Sequence, residues 1–272
     1  MKSTPQIRRQ QGFSLIEMMI AAVIFILLCG AAFALLSVAQ QRYQTESQVL
    51  NSFQEARFGL DEIVRDVNGS GFPPKNSFSF STSPQPSATL YASTPVAWDP
   101  GYPNTSCQIV SGGGGCTTPG DFDLIIERDV DPWRHDGVEW TRYQLQNNIL
   151  SRAQTYKIDP GDPSSTTNGA FVPYVQNVMN DASPAQIAQF QADYPGMFAG
   201  GNPVPVFSYT CYTPFGPQPC ASAGSYNSPV NITDVEITLI VMAPTKDAQT
   251  GMPRLIELHG RGHSLNPIQS AQ

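Results

Sequence analysis

The sequence predicts an α+β fold in which a long N-terminal α-helix packs on an antiparallel β-sheet. Residues 18–41 carry no charge and are mostly apolar, and residues 49–67 repeat apolar side chains every three or four positions. Several later segments alternate apolar and polar residues, as half-buried strands do. The 24 Pro and 22 Gly among 272 residues indicate many turns, so few long helices are expected after the first.

The overall charge argues against nucleic acid as the main partner. The formal net charge is −7, and charged residues make up 14% of the chain. Phosphate binding relies on clustered Lys and Arg, and the sequence contains no such cluster.

The uncharged run is the first element, and it is long enough to cross a bilayer. At 1.5 Å per helical residue, residues 18–41 span roughly 30 Å. Lys2, Arg8 and Arg9 precede it with no acid among them, so the N-terminus is expected to stay cytoplasmic and the rest of the chain to lie outside. Glu17 stands at the start of this run, where a carboxylate is costly and indicates a functional partner.

Two other kinds of N-terminal signal fit the sequence less well. The sequence AAFA at 31–34 offers a signal-peptidase site after Ala34, but Glu17 falls inside the apolar region that such a signal keeps free of charge. A lipoprotein signal at Cys29 is disfavoured because Leu28, a large residue, precedes the cysteine.

A short motif around Glu17 resembles the signal of a known family. The stretch Gly12-Phe13-Ser14-Leu15-Ile16-Glu17 follows a basic leader and precedes an apolar helix. It resembles the class III signal of type IV pilins and of type II secretion pseudopilins. The resemblance implies that a prepilin peptidase cuts after Gly12 and that the new N-terminal residue, Phe13, is N-methylated. Removal of the leader leaves 12 basic against 22 acidic residues, a charge of −10.

The resemblance also implies a role for Glu17 in assembly and register. Cleavage creates an amine on Phe13, and in this family the acid pairs with the amine of a neighbouring subunit. An amine in a low-dielectric helix bundle favours a nearby carboxylate. The alternative is a helix-end acid that reaches to the lipid headgroups.

Segments further along resemble particular members of the family. Residues 60–72 look like the end of the first helix in PilW-type minor pilins. Residues 138–156 alternate as two strands around Asn147-Asn148, a hairpin that is also PilW-like, and GspJ-type pseudopilins carry a comparable one. Two strand-like segments follow at 171–180 and 205–210, more widely separated than the resemblance implies.

The remaining elements complete the expected domain organisation. The insert at 181–204 is expected to hold a short helix, capped by Ser183 with Pro184 at its first position, and it has no assigned function. Residues 231–244 and 254–266 are predicted to be the last two strands. The expected organisation is therefore as follows: a leader at 1–12, a transmembrane half of the helix at 13–41, its amphipathic half at 42–71, and a β-rich head at 72–272.

Cysteine spacing favours two local disulfides in an oxidising compartment. Cys107 and Cys116 are nine apart, as are Cys211 and Cys220, and each pair brackets a loop rich in Gly or Pro. Disulfides that join a cysteine of one loop to a cysteine of the other remain an alternative. A zinc site is disfavoured because the spacing is wrong for a zinc finger.

No motif in the sequence indicates catalysis. The three histidines, His135, His259 and His263, stand outside the motifs of zinc proteases and serine hydrolases. His259 and His263 could bind a metal, although a surface pair is favoured. Calcium could bind through the oxygen-rich stretch at 159–168, which includes Asp159, Asp162 and Asn168. No cofactor and no metal are otherwise expected.

Together, these patterns predict a minor subunit of a type IV pilus, not an enzyme, that primes or caps pilus assembly and supports adhesion and twitching motility. Its expected partners are other minor pilins, the major pilin, the prepilin peptidase and the assembly platform. Its expected location is the bacterial inner membrane, with the head in the periplasm, and then the pilus on the cell surface. The alternatives are a GspJ-like pseudopilin of type II secretion and, from another class, a membrane-anchored periplasmic enzyme.

Overall fold

The computed structural model describes residues 14–79, 86–97, 120–134, 137–157, 170–247 and 251–265. The chain divides into two compact units, residues 1–47 and residues 48–272. Helix α1, Leu15–Asn68, belongs partly to each unit, and antiparallel sheets follow it. The predicted α+β class with a long N-terminal helix is therefore confirmed.

In the first unit the structure describes residues 14–47, which include the apolar part of α1. An 18-residue window of this helix has a mean hydropathy of 2.9, and none of that window is buried in the structure. Its exposed side chains include Ile20, Phe25 and Leu28. By length and composition, this helix could cross a membrane.

The described residues of the second unit form two antiparallel sheets, whereas the sequence predicted one. The first sheet has the strand order β1-β2-β3-β4-β5 and the second has the order β7-β6-β8-β9. The strands are β1 Val96–Ala97, β2 Asp123–Arg128, β3 Glu139–Gln146, β4 Ile149–Tyr156, β5 Val172–Gln176, β6 Phe207–Thr213, β7 Gly216–Pro219, β8 Ile232–Lys246 and β9 Pro253–His263.

The β3–β4 hairpin predicted at 138–156 is confirmed. Gln146 pairs with Ile149, which leaves a two-residue turn. Asn147 and Asn148 both have positive φ, 53° and 63°. This is the backbone of a type I′ turn, which Asn tolerates better than most residues and whose twist matches that of the flanking strands.

The insert between β5 and β6 contains the predicted helix, α2, Pro184–Asp193. The Ser183 side chain accepts a hydrogen bond from the Gln186 amide, and the Gln186 side chain accepts one from the Ser183 amide, which completes a capping box. Ile187 and Phe190 of α2 are buried in a small apolar cluster with residues of β8 and β9. The insert is therefore a packed part of the second unit.

Within the second unit, the end of α1 packs closely on β9. The predicted apolar stripe is confirmed, since Val49, Ala56, Leu60, Ile63 and Val67 are all buried. Gly260 and Gly262 lie beneath this stripe. A Cβ atom at Gly260 would come within 2.8 Å of Leu60, and one at Gly262 would come within 2.5 Å of Val67. The absence of these two side chains lets the helix approach the strand.

Candidate functional site

The described part of the predicted processing signal begins at Ser14, directly before α1. Glu17 lies in the first turn, exposed, and its Oε2 accepts a hydrogen bond from the backbone N–H of Ser14 at 3.3 Å. The carboxylate thus satisfies one of the amides that a helix leaves unpaired at its N-terminus. Gly12 and Phe13 lie outside the described residues.

Glu17 is surrounded by exposed apolar side chains. The residues after it, from Met18 through Leu28, include large apolar side chains that are mostly exposed, for example Met18 at 67% and Phe25 at 66%. Among the described residues, Glu17 is the only charged side chain before Arg42. The segment is therefore an apolar helix with one carboxylate near its start. Such a carboxylate can form an ion pair with a cation in a low-dielectric environment.

A family model supports one of these kinds of N-terminal signal. The model of the prokaryotic N-terminal methylation motif matches residues 7–33, which include Gly12, Phe13 and Glu17. The motif supports a type IV pilin-like protein. Such a signal implies processing by a prepilin peptidase and assembly into a pilus or a pseudopilus, and it points to a structural protein. Together with the apolar helix, it indicates anchoring in a membrane. No curated protein matches the chain.

Within the described residues, the structure shows the predicted disulfide between Cys211 and Cys220. Cys211 and Cys220 are bonded, with their Cα atoms 4.8 Å apart. Both are fully buried, and the bond joins β6 to the turn after β7. Cys107 and Cys116 lie outside the described residues, and Cys29 of the apolar helix is a free thiol.

The histidine pair considered as a metal site is not brought together. His259 and His263 lie about 13 Å apart along β9, given a rise of about 3.3 Å per residue. His259 lies 3.4 Å from Glu257, and His263 lies 3.0 Å from Asp234. Within the described ranges, no group of three or more His, Cys, Asp or Glu residues could hold a metal ion.

Asp234 is held in its ionised form by the groups around it. Burial raises the pKa of Asp234, but hydrogen bonds from Thr233, His263 and Arg261 outweigh burial and hold the pKa below its ordinary value.

The other candidate metal ligands lie outside the described residues. They are His135 and the oxygen-rich stretch at 159–168 that could bind calcium, with Asp159, Asp162 and Asn168.

Sequence reasoning missed a buried acid near the end of α1. Asp66 is fully buried and accepts a hydrogen bond from Arg128 on β2 and another from Tyr143 on β3, the latter at 2.6 Å. Arg152 on β4 lies 3.5 Å from the same carboxylate. Burial and then the charge of Asp66 raise the pKa of Tyr143 well above its usual range, so the phenol keeps its proton and donates it.

A signal for Asp66 was present in the helical spacing. Asp66 stands three residues after Ile63, so it falls on the side of the helix that the apolar stripe defines. A carboxylate on that buried side requires a hydrogen-bond donor or a cation. The β3–β4 hairpin supplies both, since Tyr143 and Arg152 are register partners on the two strands.

A second buried pair, also missed, ties β2 to the chain after β4. Glu127 and Lys157 form an ion pair in which both side chains are fully buried. Glu127 also accepts the backbone N–H of Thr94 at 2.7 Å, and Lys157 donates to the carbonyl of Tyr91 at 3.2 Å. Burial raises the pKa of Glu127, and Lys157 opposes that rise. Because these groups are satisfied within the fold, the pair has the character of a structural link.

Proposed function

We propose that this protein is a minor subunit of a type IV pilus that primes or caps pilus assembly together with other minor pilins near the tip. The observation that carries the proposal is the methylation motif at residues 7–33, placed directly before an apolar helix with Glu17 in its first turn. The PilW-like segments at 60–72 and 138–156 favour a minor pilin. Adhesion and twitching motility are the processes that such a subunit would support.

In this proposal the N-terminal residues act in sequence. The prepilin peptidase cuts after Gly12, Phe13 becomes the methylated N-terminus, and the apolar part of α1 holds the subunit in the inner membrane. Glu17 then pairs with the amine of a neighbouring subunit, which sets the axial position of one helix against the next. The head lies in the periplasm before assembly and at the cell surface afterwards.

A GspJ-type pseudopilin of type II secretion is the second candidate, because the β3–β4 hairpin resembles that class as well. Deletion of the gene distinguishes the two candidates. Loss of surface pili with normal secretion supports the pilus, and loss of secretion with normal pili supports the pseudopilus.

Mass spectrometry of the mature chain tests processing. The expected N-terminus is methyl-Phe13, and Gly12→Val is expected to leave the leader attached because it changes the Gly12-Phe13 junction at which the cut is proposed. An N-terminus near Leu35 would instead indicate a conventional signal peptide and contradict the proposal.

Substitution of Glu17 tests the assembly role. Glu17→Ala and Glu17→Gln are both expected to be processed and membrane-located but absent from sheared pili, because neither can pair with the neighbouring amine. Glu17→Gln is the control for the helix cap, since its amide oxygen can still accept the Ser14 amide. Wild-type piliation in Glu17→Gln cells would show that the charge is not needed.

A further inference from the structure

Strand β9 lies at the edge of the second sheet, and one side of its backbone is turned away from β8. Among the described residues β9 pairs with β8 alone. Ser264 directly follows β9, and its N–H donates to the carbonyl of Thr233 on β8 at 2.8 Å. The N–H of His263 donates instead to Oδ1 of Asn68 on α1, also at 2.8 Å. Because successive residues of a strand direct their N–H and C=O groups to opposite sides, the odd-numbered residues of β9 direct theirs away from β8.

Side chains close the two ends of this edge but not its middle. At one end stands Asn68, and at the other the hydroxyl of Tyr194 accepts the N–H of Leu255 at 3.4 Å and donates to the carbonyl of Pro253 at 3.3 Å. The backbone groups of the three odd-numbered residues between these ends have no such partner in the part of the chain that the structure describes: Glu257, His259 and Arg261. We call residues 257–261 the open edge. An open strand edge is a template for one further strand.

A stripe of α1 runs beside the open edge. A Cβ atom at Gly260 would come within 2.8 Å of Val64, and Asn68 reaches the end of the edge. Asp61 and Arg57 precede Val64 by three and seven residues, so they lie on the same side of the helix. Both are exposed. A strand added to β9 would therefore lie beneath a stripe with one apolar side chain and two opposite charges.

The face of β9 away from α1 also presents both charges. Glu257 lies 3.4 Å from His259, and Arg261 pairs with Asp234 of β8 at 3.1 Å. Glu236, the register partner of Arg261, lies one strand further from the edge. Each flank of the open edge therefore carries acidic and basic side chains, so neither flank selects a partner of one charge. The feature that selects a partner is the row of backbone groups.

We infer that the open edge receives an extended segment of a different prepilin-type subunit of the same assembly, which adds to the second sheet as its next strand. The ligand that matches an edge is another strand, because its own N–H and C=O groups alternate in the same way. A segment of about five residues fills the open edge, where three residues each offer an N–H and a C=O. The inference rests on the proposed function, which supplies other minor pilins as neighbours.

A second copy of this chain fits the open edge less well. Helix α1 and strand β9 run in the same general direction, because Leu60 lies over Gly260 and Val67 lies over Gly262. Two copies that paired through this same edge in antiparallel fashion would be related by a two-fold axis. Their α1 segments would then run in opposite directions at the contact, whereas in the proposed assembly every subunit is anchored in one membrane through the start of this helix.

Photo-cross-linking from the open edge tests the inference in cells that assemble the structure. The full-length chain, with benzoylphenylalanine in place of Glu257, replaces the native chain, and the peptides joined to it on illumination are identified by mass spectrometry. The expected adduct contains an extended segment of another subunit that carries a prepilin signal. Benzoylphenylalanine in place of Ser208, an exposed residue of β6 in the same sheet, is the matched control and is expected not to give this adduct.

A proline substitution tests whether backbone hydrogen bonds hold the added strand. His259→Pro removes an outward N–H and spares the β8–β9 ladder, since proline is tolerated where the N–H of an edge strand faces away from its sheet. In the cross-linking background it is expected to lower the adduct yield at least tenfold. His259→Ala keeps the N–H and is expected to leave the yield unchanged. Near-UV circular dichroism checks the fold of each variant, and Arg261→Pro makes the same test where His259→Pro does not fold.

Three results overturn the inference while leaving the proposed function intact, provided that mature chains begin at methyl-Phe13. They are the absence of an adduct from the open edge, an adduct with a second copy or with a protein that lacks a prepilin signal, and an adduct whose yield a folded proline variant does not lower. If neither proline variant folds, the identity of the adduct decides. Chains that are never cut after Gly12 overturn the proposed function, and the inference falls with it.

Discussion

Asp66 holds together three elements of the head through a single carboxylate. Its two oxygens accept hydrogen bonds from Arg128 and Tyr143, and Arg152 approaches from the next strand. A buried charge is tolerated only when hydrogen bonds and opposite charges replace the water it has lost, and here they come from β2, β3 and β4. The end of α1 is therefore fixed on the first sheet by a polar contact as well as by apolar packing.

Removal of this carboxylate should be strongly destabilising. Asp66→Ala leaves Arg128 and Tyr143 facing a site with no acceptor, and loss of one partner of a buried pair costs about 3–5 kcal/mol. Chemical unfolding of the full chain in detergent, followed by near-UV circular dichroism, measures the change. Asp61→Ala, an exposed acid on the same helix, is the control and should change stability by no more than about 0.5 kcal/mol. Equal effects from the two variants would contradict this account of Asp66.

At the scale of elements, the β6–β7 hairpin has a covalent link in addition to its backbone hydrogen bonds. The Cys211–Cys220 bond lies in the buried core at one end of the second sheet. In the chain-entropy model, closing a loop of this length stabilises the folded state by about 2–3 kcal/mol.

Replacing both cysteines should lower stability by a comparable amount. Cys211→Ala with Cys220→Ala removes the cross-link without adding a buried polar group, so a loss of about 2–3 kcal/mol is expected in the same unfolding assay. Cys29→Ala is the control, because Cys29 is a free thiol and takes no part in the link. Recovery of Cys211 and Cys220 as free thiols from the mature protein, by non-reducing peptide mapping, would contradict the prediction.

Local elements were predictable where a short run of residues decides the backbone. The Asn147-Asn148 turn follows from the preference of Asn for positive φ, and α2 follows from the Ser183 cap with Pro184 behind it. The Asp66 contacts join residues up to 86 positions apart. The helical spacing places Asp66 on the buried side of α1, but which strands lie against that side depends on chain topology, and no local pattern contains that information.

At the scale of the whole molecule, the helix-and-sheet class was predictable but the division into two sheets was not. Alternation identifies a strand and its buried face, yet it does not say which strands pair. The spacing of apolar residues predicted the stripe of α1. The surface that the stripe packs on, at Gly260 and Gly262 of β9, is evident only from the structure of the second sheet.

The close approach of α1 to β9 should be sensitive to a single methyl group. Gly262→Ala would bring a Cβ within 2.5 Å of Val67, and overpacking of this kind costs typically about 1–3 kcal/mol. Gly196→Ala is the control, because nothing lies within 4 Å of the added atom. Thermal unfolding of the two variants and the wild type compares them, and an unchanged midpoint for Gly262→Ala would show that the helix can move aside.

The same pair of glycines limits how mechanical load can pass through the protein. Leu60 and Val67 sit over the gaps at Gly260 and Gly262, and the neighbouring position on that face, Leu258, carries a full side chain packed against the core. Sliding α1 along β9 by even one helical residue, about 1.5 Å, would move these side chains off the gaps. In the proposed assembly, a pull along the part of α1 that lies on β9 would therefore reach the second sheet without slippage between helix and strand.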